Sequence, residues 1–189
     1  MGSMDSIRVD ILTARAQLGD RKAFEQLVLL YHAKVSYYVR KMLLKKDLAD
    51  DVMQEVWMIV HRKLPSLRAT QAFSVWLYRI AHTETIRLIR TEIRYVEMDE
   101  ADLTAIVEDE PEPNLEEFTE EEIRLLNLAL ERIARPQREA IMLRFMDGLS
   151  YEEIATVTDQ PLGTVRSRIH LAKKALKKEM EALGHGKDK

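Results

Sequence analysis

Gly148-Leu149-Ser150-Tyr151-Glu152-Glu153-Ile154-Ala155 leads through Thr156-Val157-Thr158-Asp159-Gln160 into Pro161-Leu162-Gly163-Thr164-Val165-Arg166-Ser167-Arg168. Gly148 suits the left-handed stop of a preceding helix, because it has no Cβ to clash there. Ser150 and Glu153 have capping-box spacing: the hydroxyl accepts from an early backbone N–H and the carboxylate reaches back to the cap. A short helix then carries Ile154, Ala155 and Val157. Thr158-Asp159-Gln160 reads as a turn, and Pro161 pre-sets the backbone for a second helix. That helix places Val165, Ile169, Ala172 and Leu176 on one side, at steps of four, three and four. Its other side carries Arg166, Ser167, His170, Lys173, Lys174 and Lys177. Two helices around a tight turn, the second basic on its free face, form a helix-turn-helix, and small Ala155 lets them approach closely.

Such a face has a defined chemistry. The N-terminal turn of the second helix, with Thr164, offers backbone N–H groups and a positive dipole end to phosphate. Arg166 can present a bidentate fork to a guanine edge, and Ser167 and His170 can donate or accept at base edges. Lys173 and Lys174 suit phosphate contacts, which position without specifying. The plainer alternative is a solvated basic face on an ordinary helical hairpin.

Outside this stretch the apolar spacing is again three and four. Phe24, Leu27, Val28 and Tyr31 follow the helical period, as do Val52, Val56, Ile59 and Val60, then Val75, Trp76, Arg79 and Ile80, and finally Ile123, Leu126, Leu130 and Ile133. Sustained alternation is missing, so the fold class is all-α. Met1-Gly2-Ser3 ahead of Met4 reads as a cloning remnant, which puts the natural start at Met4.

The 189-residue chain carries 29 basic and 32 acidic residues, a formal charge of -3. A nucleic-acid binder usually has a basic excess. The average conceals a partition. Residues 1–90 hold 15 basic and 9 acidic residues (+6), 91–122 hold one and 14 (-13), and 123–189 hold 13 and 9 (+4). The expectation is two small basic helical domains joined by an acidic flexible linker, which contains Pro111 and Pro113. Glu116 to Glu122 can also be the acidic first turn of a helix. With no cysteine, disulfides and thiolate chemistry are excluded. The five histidines, His32, His61, His82, His170 and His185, include no i, i+4 pair, and no glycine loop cradles a phosphate. No metal, cofactor or catalytic residue is therefore expected. No apolar run is long enough to span a bilayer and no signal segment opens the chain, so a cytoplasmic protein is expected.

Leu149 to Ala155, Pro161 to Arg168, and upstream Pro136-Gln137-Arg138-Glu139 and Leu143-Arg144-Phe145 closely resemble region 4 of bacterial sigma factors of the extracytoplasmic-function group, in the sigma-70 family. Gly19-Asp20 with Ala23-Phe24, Leu27 and Tyr31, then Asp50-Asp51-Val52-Met53-Gln54-Glu55-Val56-Trp57, then Phe73 to Ala81, resemble region 2 of the same group. The resemblance covers roughly residues 18–94 and 122–180. It implies an N-terminal extension (1–17), a region 2 domain (18–94), the linker (95–121), a region 4 helix-turn-helix domain (122–182) and a tail (183–189).

What the resemblance implies for function is specific. Asp51, Gln54 and Glu55, at i, i+3 and i+4 on one helix face, dock on the clamp of core RNA polymerase. The loop Leu64 to Gln71, with Leu67, Arg68 and Thr70, holds a flipped base of the minus-10 strand, which needs a wall and hydrogen bonds to its edges. Arg79, His82, Arg87 and Arg90 serve backbone phosphates. Trp76 either stacks on DNA or packs in the core. The helix-turn-helix residues Thr164, Arg166, Ser167, His170, Lys173 and Lys174 read the minus-35 duplex. The family commonly has Asn where Thr83 stands, Asp where Arg87 stands and Arg where Leu171 stands, so promoter preference does not carry over. The linker can mimic a phosphate backbone in a polymerase channel, or simply extend and solubilise. The partners implied are core RNA polymerase, promoter DNA and an anti-sigma factor. The alternatives are a stand-alone helix-turn-helix regulator and a sigma-mimicking adaptor.

Overall fold

The computed structural model describes residues 3–43, 45–92 and 119–185, and the chain divides into two compact units. Among the described residues all regular structure is helical. The acidic segment expected at 95–121 lies outside them up to residue 118.

The N-terminal unit contains α1 (Ser3–Gln17), α2 (Arg21–Met42), α3 (Ala49–Lys63) and α4 (Phe73–Glu92), with 3₁₀ turns at Lys46–Leu48, Leu64–Ser66 and Thr70–Ala72. Residues 1–17, expected as an extension, form helix from Ser3 onward. α1 packs against α2 and against the two 3₁₀ turns that precede α4. It buries Val9, Leu12 and Thr13, and Thr13 satisfies its hydroxyl on the Val9 carbonyl at 2.8 Å.

The corner between α1 and α2 follows from Gly19, whose φ of +89° an L side chain rarely adopts. The Gly19 N–H bonds the Ala16 carbonyl at 3.0 Å and the Asp20 N–H bonds the Arg15 carbonyl at 3.1 Å, closing the end of α1. Asp20 then caps α2, accepting from the Ala23 N–H at 3.1 Å.

α2 is amphipathic: Leu27, Val35, Tyr38 and Val39 are buried against Val56 and Val60 of α3 and Phe73, Leu77 and Tyr78 of α4. Each such side chain contributes about 1.5–3 kcal/mol of burial. Tyr31 meets Phe73 edge-on at 5.4 Å, and Tyr38 meets Tyr78 at 5.7 Å. The phase of α4 differs from the sequence expectation. Val75, Trp76 and Ile80 are half-buried and Arg79 is exposed, while the core stripe is Phe73, Leu77, Ala81, Thr85 and Ile89. Small Ala81 and polar Thr85 hold closely packed positions that an apolar period passes over.

The C-terminal unit contains α5 (Glu120–Arg132), α6 (Arg135–Asp147), α7 (Tyr151–Thr158) and α8 (Leu162–His185). α5 starts inside the expected linker, because Thr119 and Glu122 form a full capping box. The Thr119 N–H, donating at 2.8 Å, and its hydroxyl hold the Glu122 carboxyl below its usual pKa. At its other boundary α8 runs through residues 183–185, which were expected as tail. The buried apolar residues of this unit are Ala129, Leu130, Ile133, Ile141, Leu143 and Ile154, with Val165, Ile169, Ala172 and Leu176 of α8, and α8 packs on α5 and α6. Ile123, on the same apolar period as Leu130 and Ile133, is 46% exposed. Arg132 of α5 reaches Glu179 of α8 at 3.5 Å.

Candidate nucleic-acid and polymerase interfaces

The helix-turn-helix is set by local chemistry. Gly148 takes a left-handed conformation at φ +67° and ends α6. Ser150 caps α7: its hydroxyl accepts from the Glu153 N–H at 3.2 Å, and Glu153 accepts from the Ser150 N–H at 2.7 Å. The turn after α7 closes on Asp159, left-handed at φ 54°, with the Gln160 N–H on the Ala155 carbonyl at 3.1 Å. Pro161 stands just ahead of α8, and its carbonyl accepts from the Val165 N–H.

α8 then presents Arg166 and Lys174 exposed, with Thr164, His170 and Lys173 half-exposed. The Lys173 ammonium lies 5.8 Å from the centre of the Phe145 ring, so Phe145 steadies it from below. Ser167 differs from its neighbours: it is only 2% exposed, and its hydroxyl donates to the Gly163 carbonyl at 3.0 Å. A serine within a helix readily bonds the carbonyl one turn back.

On α3, Asp51, Gln54 and Glu55 are all exposed, opposite buried Val52, Val56 and Val60. Neighbouring Asp50 pairs with Arg40 at 3.0 Å. Met53 is buried with the valines, whereas Ile59 is half-buried.

On α4, Trp76, Arg79, Thr83, Arg87 and Arg90 fall at steps of three and four along one stripe. Arg79, Thr83, Arg87 and Arg90 are exposed. The Thr83 hydroxyl donates to the Arg79 carbonyl at 2.7 Å, and Arg87 pairs with Glu84 at 2.7 Å. His82 and Trp76 are half-buried, and Trp76 tilts against Phe73 at 6.2 Å. The preceding loop is two 3₁₀ turns around Leu67, Arg68 and Ala69, with Arg68 exposed and Leu67 and Thr70 half-buried.

Sequence spacing did not reveal two partners of this loop and corner. The Gln17 carboxamide donates to the carbonyls of Leu64 at 3.1 Å and Leu67 at 2.6 Å. Arg15 donates to Asp20 Oδ2 through Nε at 2.9 Å and Nη2 at 2.6 Å. The Ala23 N–H and this guanidinium hold the Asp20 carboxyl below its usual pKa.

With this geometry in view, comparisons with known proteins agree across both units. The family described as Sigma-70 region 2 matches residues 27–95, and that described as Sigma-70, region 4 matches 115–176. The chain is 35% identical over 181 residues to the ECF RNA polymerase sigma-E factor of Escherichia coli K12, covering 92% of this chain and 94% of that one. It is 34% identical over 183 residues to the RNA polymerase sigma-H factor of Pseudomonas aeruginosa, covering 91% and 93%. The sigma factor RpoE of Bartonella quintana, solved with the anti-sigma factor NepR, matches with a TM-score of 0.66 at 25% identity, over 85% of this chain and 98% of that one. CnrH, solved with the cytosolic domain of CnrY, shares the fold at a TM-score of 0.66 and 23% identity, over 93% and 98%.

Proposed function

Because this chain belongs to the sigma-70 family, as an extracytoplasmic-function sigma factor, we propose a division of labour between its two units. The protein directs promoter-specific initiation by RNA polymerase, and the family consists of non-catalytic initiation factors. α8 enters the major groove of the minus-35 duplex, with Arg166 and His170 at base edges. Thr164, Lys173 and Lys174 hold flanking phosphates. The α3 face of Asp51, Gln54 and Glu55 docks on core polymerase. The loop of Leu67, Arg68 and Thr70 receives an extruded base of the minus-10 strand, and the α4 stripe of Arg79, Arg87 and Arg90 follows its phosphates. Trp76 and Thr83 lie along that same stripe and His82 beside it.

The observation that carries this reading is the pairing, within one unit, of an acidic exposed face on α3 with a basic exposed stripe on α4. A helix-turn-helix regulator acting alone needs neither. The likeness to a sigma factor solved with its anti-sigma factor supports an anti-sigma partner here too. Polymerase lies in the cytoplasm, and that is where the protein acts. Among the described residues no helix is long and apolar enough to cross a membrane.

The test is transcription in vitro with purified core polymerase and a genomic promoter library. Discrete start sites are expected with the wild-type chain, and Glu55→Lys should abolish them by weakening core binding. Unchanged affinity of Glu55→Lys for core would reject the α3 docking face.

A further inference from the structure

The loop assigned to the minus-10 base is held from a distant part of the chain. Gln17, the last residue of α1, places Nε2 at 3.1 Å from the Leu64 carbonyl and 2.6 Å from the Leu67 carbonyl, 47 and 50 residues away in sequence. One carboxamide nitrogen thus directs both its N–H bonds into one loop. The reversed amide would set Oε1 against two carbonyl oxygens, so the chemistry fixes which atom faces the loop. The Leu64 carbonyl also accepts from the Leu67 N–H at 3.1 Å, closing the 3₁₀ turn. The Leu67 carbonyl belongs to the planar peptide shared with Arg68. Holding that oxygen fixes the direction in which Arg68 leaves the turn.

Gln17 is itself anchored. Arg15, half a turn earlier, grips Asp20 through two N–H groups, and Asp20 caps α2. α1 also packs on both 3₁₀ turns of the loop. α1 therefore acts as a strut between the start of α2 and the loop.

We propose that Gln17 is a positioning residue for minus-10 recognition: it presets the backbone of residues 64–68 in the shape that receives the extruded base. The role is pre-organisation of a binding loop, and it rests on the assignment of that loop to the minus-10 strand.

The experiment uses holoenzyme reconstituted from core polymerase and the full chain. It measures binding of a labelled single strand carrying the minus-10 sequence against the same strand scrambled. Gln17→Met keeps the length but removes both donors, and should lower the ratio of the two affinities about tenfold. Core affinity and minus-35 duplex binding should stay unchanged. Gln17→Lys restores N–H donors and should recover most of the ratio. An unchanged ratio in Gln17→Met overturns the proposal, and so does a parallel loss of core affinity, which marks a merely structural role. Leu67→Ala and Arg68→Ala separate the two levels. If they also leave the ratio unchanged, the loop is not the minus-10 pocket. If they lower it while Gln17→Met does not, only the positioning role falls.

Discussion

The three arginines along α4 differ in what they already hold, and this should appear as different responses to salt. Arg87 lies 2.7 Å from Glu84, whose side chain is only 13% exposed and so stays beside it. Among the described residues Arg79 and Arg90 have no carboxylate within ion-pair distance. An arginine that meets a phosphate of a single strand contributes about 0.7 to the slope of log affinity against log salt. For each such contact, a roughly fourfold rise in salt weakens binding by about 2.6-fold. Arg79→Ala and Arg90→Ala should therefore each flatten the slope by about 0.7. Arg87→Ala should change it by less than half as much, because Arg87 and Glu84 together carry no net charge. Glu84→Gln should act in reverse, releasing Arg87 and steepening the slope by about 0.7. Arg87 is 68% exposed, so solvent screens the pair from one side and it adds little to stability; these variants should fold normally. The assay is fluorescence anisotropy of holoenzyme with a forked promoter fragment, across a salt series. A full loss of slope in Arg87→Ala, with Glu84→Gln flat, would refute the idea that the pair screens Arg87. Unchanged slopes for both Arg79→Ala and Arg90→Ala would remove the stripe from DNA altogether.

Other perturbations give further checks. Ser150→Ala deletes half the capping box of an eight-residue helix and should destabilise the C-terminal unit by about 1 kcal/mol, seen as faster amide exchange in α7. Arg166→Ala should weaken minus-35 binding by about 1–3 kcal/mol and relax preference at one position, whereas uniform weakening on all sequences would mean a phosphate contact. The Asp20 carboxyl is held below its usual pKa, so its stabilisation is full above the ordinary carboxylate value and is lost as pH falls through the lowered one. Amides at the α1–α2 corner should begin to exchange faster below about pH 4, and Asp20→Asn should lack that dependence.

Signals confined to a few neighbouring residues were legible in the sequence. Gly148, the Ser150–Glu153 box and the stripe of Val165, Ile169, Ala172 and Leu176 all depend on chemistry within one or two turns. Thr119-x-x-Glu122 carried the same box signal, but the surrounding acidic run hid it. What escaped depends on packing or on distance. α1 buries Val9, Leu12 and Thr13 while leaving Ile7 and Ile11 exposed, so its period is blurred. Trp76 and Ile80 outrank Ala81 and Thr85 in apolarity, yet the smaller pair lies in the core because helices can approach there. Ser167 sits on the open side of a helical wheel, and no wheel shows a hydroxyl turned back onto its own helix. Gln17 reaches across 47 residues, a separation that leaves no mark in spacing.

α8 is 24 residues long, or about 36 Å at the rise of a helix. Arg166 sits near one end, and Glu179, tied to Arg132 of α5, lies 13 residues further on, about 20 Å along the axis. That is about twice the screening length at physiological salt. Charge changes at the α5 end therefore do not reach the reading end as a field. The two ends are electrically deaf to each other but mechanically joined, like the ends of a key. A partner that grips α5 alters what the far end reads only by turning or shifting the whole shaft.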